Sequence, residues 1–271
     1  QQEEIPILDI LWVIDNSGSM RPFQTALATQ INDFMSVFLA ATPDFHMAFI
    51  STDNHNFYGQ MIDSTTPDPG VEAASAINLL TTFGAGNERG LEMSRLSLSD
   101  SSAAGPGGDF FRNDATLVVV YVSDEKDYNW ATVGNYYAFF DALKPAGKFM
   151  PFAVIGDYPS GCSYNGNYYS NVEFGRGYWD LVDHYNGSWY SICAPDWGIQ
   201  LQNLANQVTA RNTFSISQPD PVEETIKVYV NGQELSEGWS FDLTDLTITF
   251  EEAYIPEPGQ SIRIEYAVWG C

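Results

Sequence analysis

Apolar residues follow two rhythms along this chain. Ile7–Ile14 (ILDILWVI) is short, apolar and β-branched and stops at Asp15, the pattern of a strand covered on both faces. Arg21–Ala41 carries Phe23, Leu27, Ile31, Phe34, Val37 and Phe38 at spacings of three and four, which predicts an amphipathic helix. Met47–Ile50 opens a second strand ending near Asp53, and Phe57–Ile62 is a candidate edge strand. Asn87–Leu98 reads as a helix with Leu91 and Leu98 on one face. Thr116–Val122 (TLVVVYV) is the most hydrophobic strand, with Asp124 just beyond it. A helix over Trp130–Leu143, a buried strand over Phe149–Ile155 and a helix over Asp196–Ala210 complete the set.

Continuous apolar strands alternating with helices predict an α/β fold: a doubly wound, mostly parallel sheet flanked by helices. Ligands of such sheets bind at the carboxyl ends of the strands, where Asp15 and Asp124 fall. The rhythm changes after about Asn212. Ile226–Val230, an Asn231-Gly232 hairpin signal, Leu246–Phe250 and Ile262–Val268 read as strands without helices. The expected organisation is a main domain over residues 1–212 and a small all-β module over 213–271, joined near Pro219–Pro221.

Charge narrows the function classes. The 271 residues hold 11 Lys+Arg against 35 Asp+Glu, a net charge of −24. That excludes the basic footprint a nucleic-acid binder needs, and an anionic membrane surface would repel the chain. No apolar run approaches the ~18 residues of a membrane span. No signal peptide is visible, so an export signal is either removed or absent. With 44% hydrophobic and 14% aromatic residues, the chain is not a disordered acidic tail. Its three cysteines are an odd count. In an oxidising compartment Cys162 pairs with Cys193 and Cys271 is spare; in a cytosolic protein all three are thiols. Low Lys, high Asn, Tyr and Trp, and Gly-rich loops favour export.

The strongest local signal is Asp15-Asn16-Ser17-Gly18-Ser19, after a buried strand and before a helix. This D-x-S-x-S pattern suits a hard cation: Mg²⁺ takes six oxygens and retains several waters. Two short hydroxyls on a tight loop can ligate directly, and a strand-end carboxylate can hold metal-bound water. The plainer alternative is a helix N-terminus, where Ser and Asp are preferred caps. Asp124 at the end of a neighbouring strand adds a second carboxylate to the same crevice, and the two repel each other unless a cation or proton intervenes.

Together these residues resemble the von Willebrand factor A domain with its metal-ion-dependent adhesion site, over roughly residues 5–212. The resemblance implies that Ser17 and Ser19 bind the metal directly and Asp15 acts through water. Asp124 matches the aspartate after the fourth strand. One metal position is left for an acidic side chain of a partner. The threonine the family supplies before the helix at Asn87–Leu98 has no match. Glu88 is its leading substitute, Asn87 and Thr82 weaker ones, and Glu88 can alternatively be an acid facing the helix dipole. A glutamate there adds negative charge and favours Ca²⁺ or Mn²⁺ over the Mg²⁺ otherwise expected. The segment from Arg176 to Trp197 is similar to the last strand-and-helix region of bacterial exported members, in which a Cys162–Cys193 pair would staple a loop.

Other readings are weaker. The aromatic run Tyr164–Tyr190 invites glycan binding, but half of it is expected to pack beneath the stapled loop. His46, His55 and His184 lack metal-ligand spacing. Gly84-Ala85-Gly86 lacks the end of a phosphate loop. Ser17 and Ser19 have no visible His partner for hydrolase chemistry. Glu125 and Asp127 read as solvated loop acids, with outer-shell groups of the metal site as the alternative. The expectation is a non-enzymatic, exported (secreted, periplasmic or surface) protein. It would bind a protein partner through one divalent cation at Asp15, Ser17, Ser19, Glu88 and Asp124, with no nucleic acid and no membrane insertion. The alternatives are a structural subunit of a surface appendage, in which the metal only stabilises the fold, and an intracellular accessory of a remodelling or metal-inserting ATPase.

Overall fold

The computed structural model describes residues 7–41, 44–99, 102, 104–163, 172–209, 213–216, 221–244, 246–256, 260 and 262–269. Cys271, Tyr164, Tyr168, Tyr169, Asn212 and Pro219 lie outside them. Two compact units divide between Ala205 and Asn206.

The first unit is built on a six-stranded sheet. Its strands are β1 (Ile7–Ile14), β2 (Asp44–Ser51), β3 (Ile62–Asp63), β4 (Thr116–Ser123), β5 (Phe149–Ile155) and β6 (Ser188–Ser191), in the order β3-β2-β1-β4-β5-β6. All neighbours are parallel except β2 and β3. The helices are α1 (Arg21–Ala41), α2 (Pro69–Leu79), α3 (Gly90–Ser97), α4 (Val133–Leu143), α5 (Tyr178–His184) and α6 (Trp197–Thr209).

Side-chain alternation divides the strands between two cores. Leu11, Val13, Ile50, Val119 and Tyr121 join Leu91 of α3, Phe140 of α4 and Leu181 of α5 in one cluster. On the opposite face Trp12 meets Phe34 of α1 edge-to-face at 5.4 Å and stacks on Phe49 at 6.0 Å. The predicted α1 stripe is inside: Phe23, Leu27, Ile31, Phe34 and Phe38 are all buried. Burial on both faces is why these strands carry no polar alternation.

Differences from expectation are local. The strand expected over Phe57–Ile62 is the two-residue antiparallel edge at Ile62–Asp63. Helix α2 was not predicted; only Ala73, Ala76 and Ile77 of it are buried, too small an apolar stripe to show as periodicity. Helix α3 starts at Gly90, three residues later than expected. β1 also holds a charge: Asp9 is wholly buried. The backbone N–H of Arg112 (2.7 Å) and its Nε (2.8 Å) both donate to that carboxylate. At the same end of the sheet Lys144 is buried, donating to the carbonyl of Ala115 at 2.8 Å with its ammonium 3.9 Å from the Phe111 ring centroid.

The second unit is all-β. β10 (Trp239–Asp242), β11 (Thr247–Phe250) and β7 (Thr213–Ser215) form one antiparallel sheet; β12 (Ile262–Glu265), β8 (Lys227–Val230) and β9 (Gln233–Leu235) form another. Asn231 and Gly232 both take positive φ, 49° and 80°, as the tight turn between β8 and β9 requires. Ile226, Val228, Ile248 and Phe250 centre its core.

Candidate metal centre

The sheet order reverses between β1 and β4, because the chain leaves β1 toward β2 and returns on the other side. At such a switch point the loops leaving the two strands part and leave a crevice at their carboxyl ends. The Asp15–Ser19 loop leaves β1 and the Asp124 loop leaves β4. Asp15 closes the gap at its base by donating its N–H to the carbonyl of Val122, 2.8 Å away.

A chain of hydrogen bonds joins the predicted oxygens. Asp15 Oδ1 accepts from the Ser17 N–H (2.7 Å) and Oδ2 from the Ser123 hydroxyl (2.7 Å). The hydroxyls of Ser17 and Ser19 lie 2.9 Å apart, and Ser19 donates to Asp124 Oδ1 at 3.1 Å. Asp15, Ser17 and Asp124 are buried, while Ser19 is only half-buried and Gly18 is exposed, so the crevice opens there. Ser17 directly precedes the helical turn at Gly18–Met20, yet its hydroxyl makes no capping bond. The capping alternative therefore leaves that oxygen unexplained.

Of the three candidates for the missing threonine, Glu88 is the one buried in the site. It is wholly inaccessible, Oε2 accepts from the Thr52 hydroxyl, and its carboxyl is hydrogen-bonded to that of Asp15, which requires a proton between the two. Asn87 is exposed, and Thr82 lines a neighbouring cleft. Glu88 stands two residues before α3, outside its first turn. The Leu91 N–H of that turn donates instead to Asp127 Oδ2 at 3.0 Å. Asp127 is thus no solvated loop acid. It is fully buried, and its other oxygen accepts from the Asn129 N–H at 2.7 Å. The Tyr128 N–H donates to the Glu88 carbonyl (2.7 Å), so the β4 loop clamps Glu88 in place.

Three supporting residues escaped the sequence reading. Thr52 directly follows β2 beside β1, Ser123 ends β4, and Gln24 on the first turns of α1 donates to the Asp15 carbonyl at 2.8 Å. The first two could have been found as polar residues closing strands parallel to the one that delivers Asp15. Gln24 shows no such signal, since it interrupts an apolar helix face.

The electrostatics follow from crowding. Burial, then the charge of Asp15, raises the Asp124 carboxyl to about 7 and that of Glu88 to about 9. Burial raises Asp15 too, against the bonds from Ser17 and Ser123. Glu125, flanking Asp124, is raised by burial and by Asp15. Without a cation the site retains protons.

Among the described residues, no three of His, Cys, Asp and Glu make a metal cage by themselves. The donor set is mixed: two serine hydroxyls and three carboxyls, two of them, Asp15 and Glu88, hydrogen-bonded to each other. Such an all-oxygen set fits a hard divalent ion.

Beyond β5, Cys162 and Cys193 form a disulfide with Cα atoms 6.2 Å apart. The neighbouring aromatics serve packing: Tyr178 is wholly buried, and Trp179, Tyr185 and Trp189 pack on the α3–α5 core. Among the described residues no helix is long and apolar enough to cross a membrane.

No family model matches the chain, and no curated protein matches it. Solved structures do. A von Willebrand factor type A protein from Catenulispora acidiphila is 12% identical with a TM-score of 0.47, covering 98% of this chain and 60% of that one. The pilus adhesin SpaC from Lactobacillus rhamnosus GG, in an open conformation, is 12% identical at 0.44, covering 98% and 39%. Proximal thread matrix protein 1 from the mussel byssus, with a zinc-occupied MIDAS motif, is 14% identical at 0.46, covering 74% and 45%. This chain spans less than two thirds of the length of each. The β3-β2-β1-β4-β5-β6 order, with its single antiparallel edge and its helices on both faces, makes the first unit the doubly wound, mostly parallel α/β fold that the resemblance to the von Willebrand factor A domain implies.

Proposed function

We propose that this chain is an exported binding module that holds a protein partner through one divalent cation at the β1–β4 switch point. The observation that carries the reading is the convergence of Asp15, Glu88 and Asp124 on Ser17 and Ser19, with the buried Glu88 carboxyl set against that of Asp15. Ser17 and Ser19 would hold the ion, Asp15 and Asp124 would balance its charge, and Glu88 would stand where the family has threonine. The cation would supply a Lewis-acidic contact for a partner's carboxylate. Mg²⁺ is the expected ion, with Ca²⁺ or Mn²⁺ favoured by the extra carboxylate. Binding, not catalysis, is supported by the surroundings of the serines: their hydroxyls face each other and Asp124, and His46 Nδ1 lies instead 2.8 Å from the Phe110 carbonyl. The Cys162–Cys193 bond supports export.

Titration calorimetry with Mg²⁺, Ca²⁺ and Mn²⁺ on the whole chain and on Asp15→Ala tests this. One ion per chain, lost in the variant and reversed by EDTA, is expected. Equal uptake by the variant would refute the assignment.

A further inference from the structure

Beside the metal centre lies an open cleft of about 260 Å³ between the start of α1 and the loop that precedes α3. Arg21, Gln24, Asn78, Thr82 and Phe83 line it. Two hydrogen bonds tie its walls to the metal-site loop. Gln24 donates to the Asp15 carbonyl, and the Gly84 N–H, next to Phe83, donates to the Asn16 carbonyl at 2.8 Å.

Two features of this cleft lack an internal explanation. Phe83 is 86% exposed, the highest of any large apolar side chain among the described residues. The Arg21 side chain is exposed and takes part in no hydrogen bond, ion pair or ring contact, although the chain carries −24. Arg89, also exposed, acts on Glu92 through charge alone, while Arg95 is engaged on Glu92, Arg112 on Asp9 and Asp44, Lys126 on Glu173 and Arg176 on the Trp130 ring. A guanidinium left free beside an acidic site offers a second anion-binding point, and an exposed phenyl ring beside it offers apolar contact.

We infer that this cleft is the second anchor for an acidic protein segment: one carboxylate on the cation, a second on Arg21, and an apolar side chain against Phe83. This rests on the proposed metal site and adds the partner's chemistry to it. It also accounts for association with so acidic a protein, because the free guanidinium adds local positive potential next to the metal. Charge complementarity selects an acidic peptide over a neutral glycan here, since a sugar leaves Arg21 unpaired.

The test is fluorescence anisotropy of a labelled peptide of glutamate and phenylalanine, with the full chain in Mg²⁺. Arg21→Gln is expected to weaken binding about three- to tenfold, slow association and flatten its salt dependence. Phe83→Ala is expected to weaken binding with the salt dependence intact. Calorimetric Mg²⁺ affinity should be unchanged in Phe83→Ala and no weaker in Arg21→Gln. Wild-type peptide affinity in Arg21→Gln, or no Mg²⁺-dependent peptide binding at all, overturns the second anchor while leaving the metal site standing. Uptake of a labelled neutral oligosaccharide that disappears in Phe83→Ala would overturn it in favour of a glycan cleft. Undiminished Mg²⁺ binding by Asp15→Ala is the separate outcome that removes the underlying metal reading.

Discussion

Replacing Glu88 with glutamine separates the two roles of the site. In the cation-free protein Glu88 is buried beside Asp15, and its carboxyl is raised from 4.5 to about 9. A group whose folded value is raised keeps its proton in the fold while the unfolded chain loses it, so the fold loses stability as pH climbs from about 4.5 toward 9. At 1.36 kcal/mol per pH unit, keeping Glu88 protonated at pH 7 costs about 3 kcal/mol. Glutamine has nearly the same shape, still accepts from the Thr52 hydroxyl, and never ionises. In EDTA, Glu88→Gln should therefore be more stable than the parent at pH 7 by up to about 3 kcal/mol, with the gain vanishing near pH 4. For a chain of this size that is an upward shift in Tm of several degrees, at roughly 3 °C per kcal/mol. In saturating Mg²⁺ the order should reverse, because the variant has lost a carboxylate that balances the ion. Thermal unfolding followed by circular dichroism across pH, with EDTA and with Mg²⁺, reads all four conditions. A pH-independent change in EDTA, or a variant destabilised at pH 8 without metal, would refute the reasoning.

Three further outcomes follow from the geometry. Arg112→Ala leaves Asp9 buried without its guanidinium and should cost about 3 kcal/mol in urea unfolding at neutral pH; Asp9 is itself raised by burial, so the loss should shrink toward pH 4, and Asp9→Asn should recover part of it. Gly90→Ala places a Cβ 2.8 Å from the buried Tyr178 ring, so α3 must shift; a loss of about 1–3 kcal/mol, with weaker Mn²⁺ binding through displaced Glu88, is expected by calorimetry. Serine at both Cys162 and Cys193 opens a loop of sequence separation 31 and should lower stability by about 3 kcal/mol without altering Mg²⁺ affinity, while a thiol assay on the unfolded parent should count Cys271 alone.

The site could be read from the sequence because its parts are local. Asp15, Ser17 and Ser19 share one loop, and Asp124 directly follows the most apolar strand in the chain. What holds them was hidden, because it depends on which strands are neighbours. Thr52 reaches Glu88 across 36 positions and Ser123 reaches Asp15 across 108. Nothing in the apolar run Ile7–Ile14 shows that Asp9 is held by Arg112, 103 residues away. Helix α2 was hidden for the opposite reason: it buries so little that its apolar spacing carries no rhythm. Asp127 was misjudged because a loop acid and a helix cap look alike until the helix it caps is placed.

The Cys162–Cys193 bond has a mechanical consequence. It brackets α5 and the short edge strand β6. A chain pulled from its two ends passes load from Cys162 straight to Cys193, so those elements bear no tension even after the rest of the sheet has been peeled apart. The bypassed segment, of sequence separation 31, would otherwise add about 100 Å of extended chain. Under stretching the oxidised protein therefore yields that much less length than the reduced one.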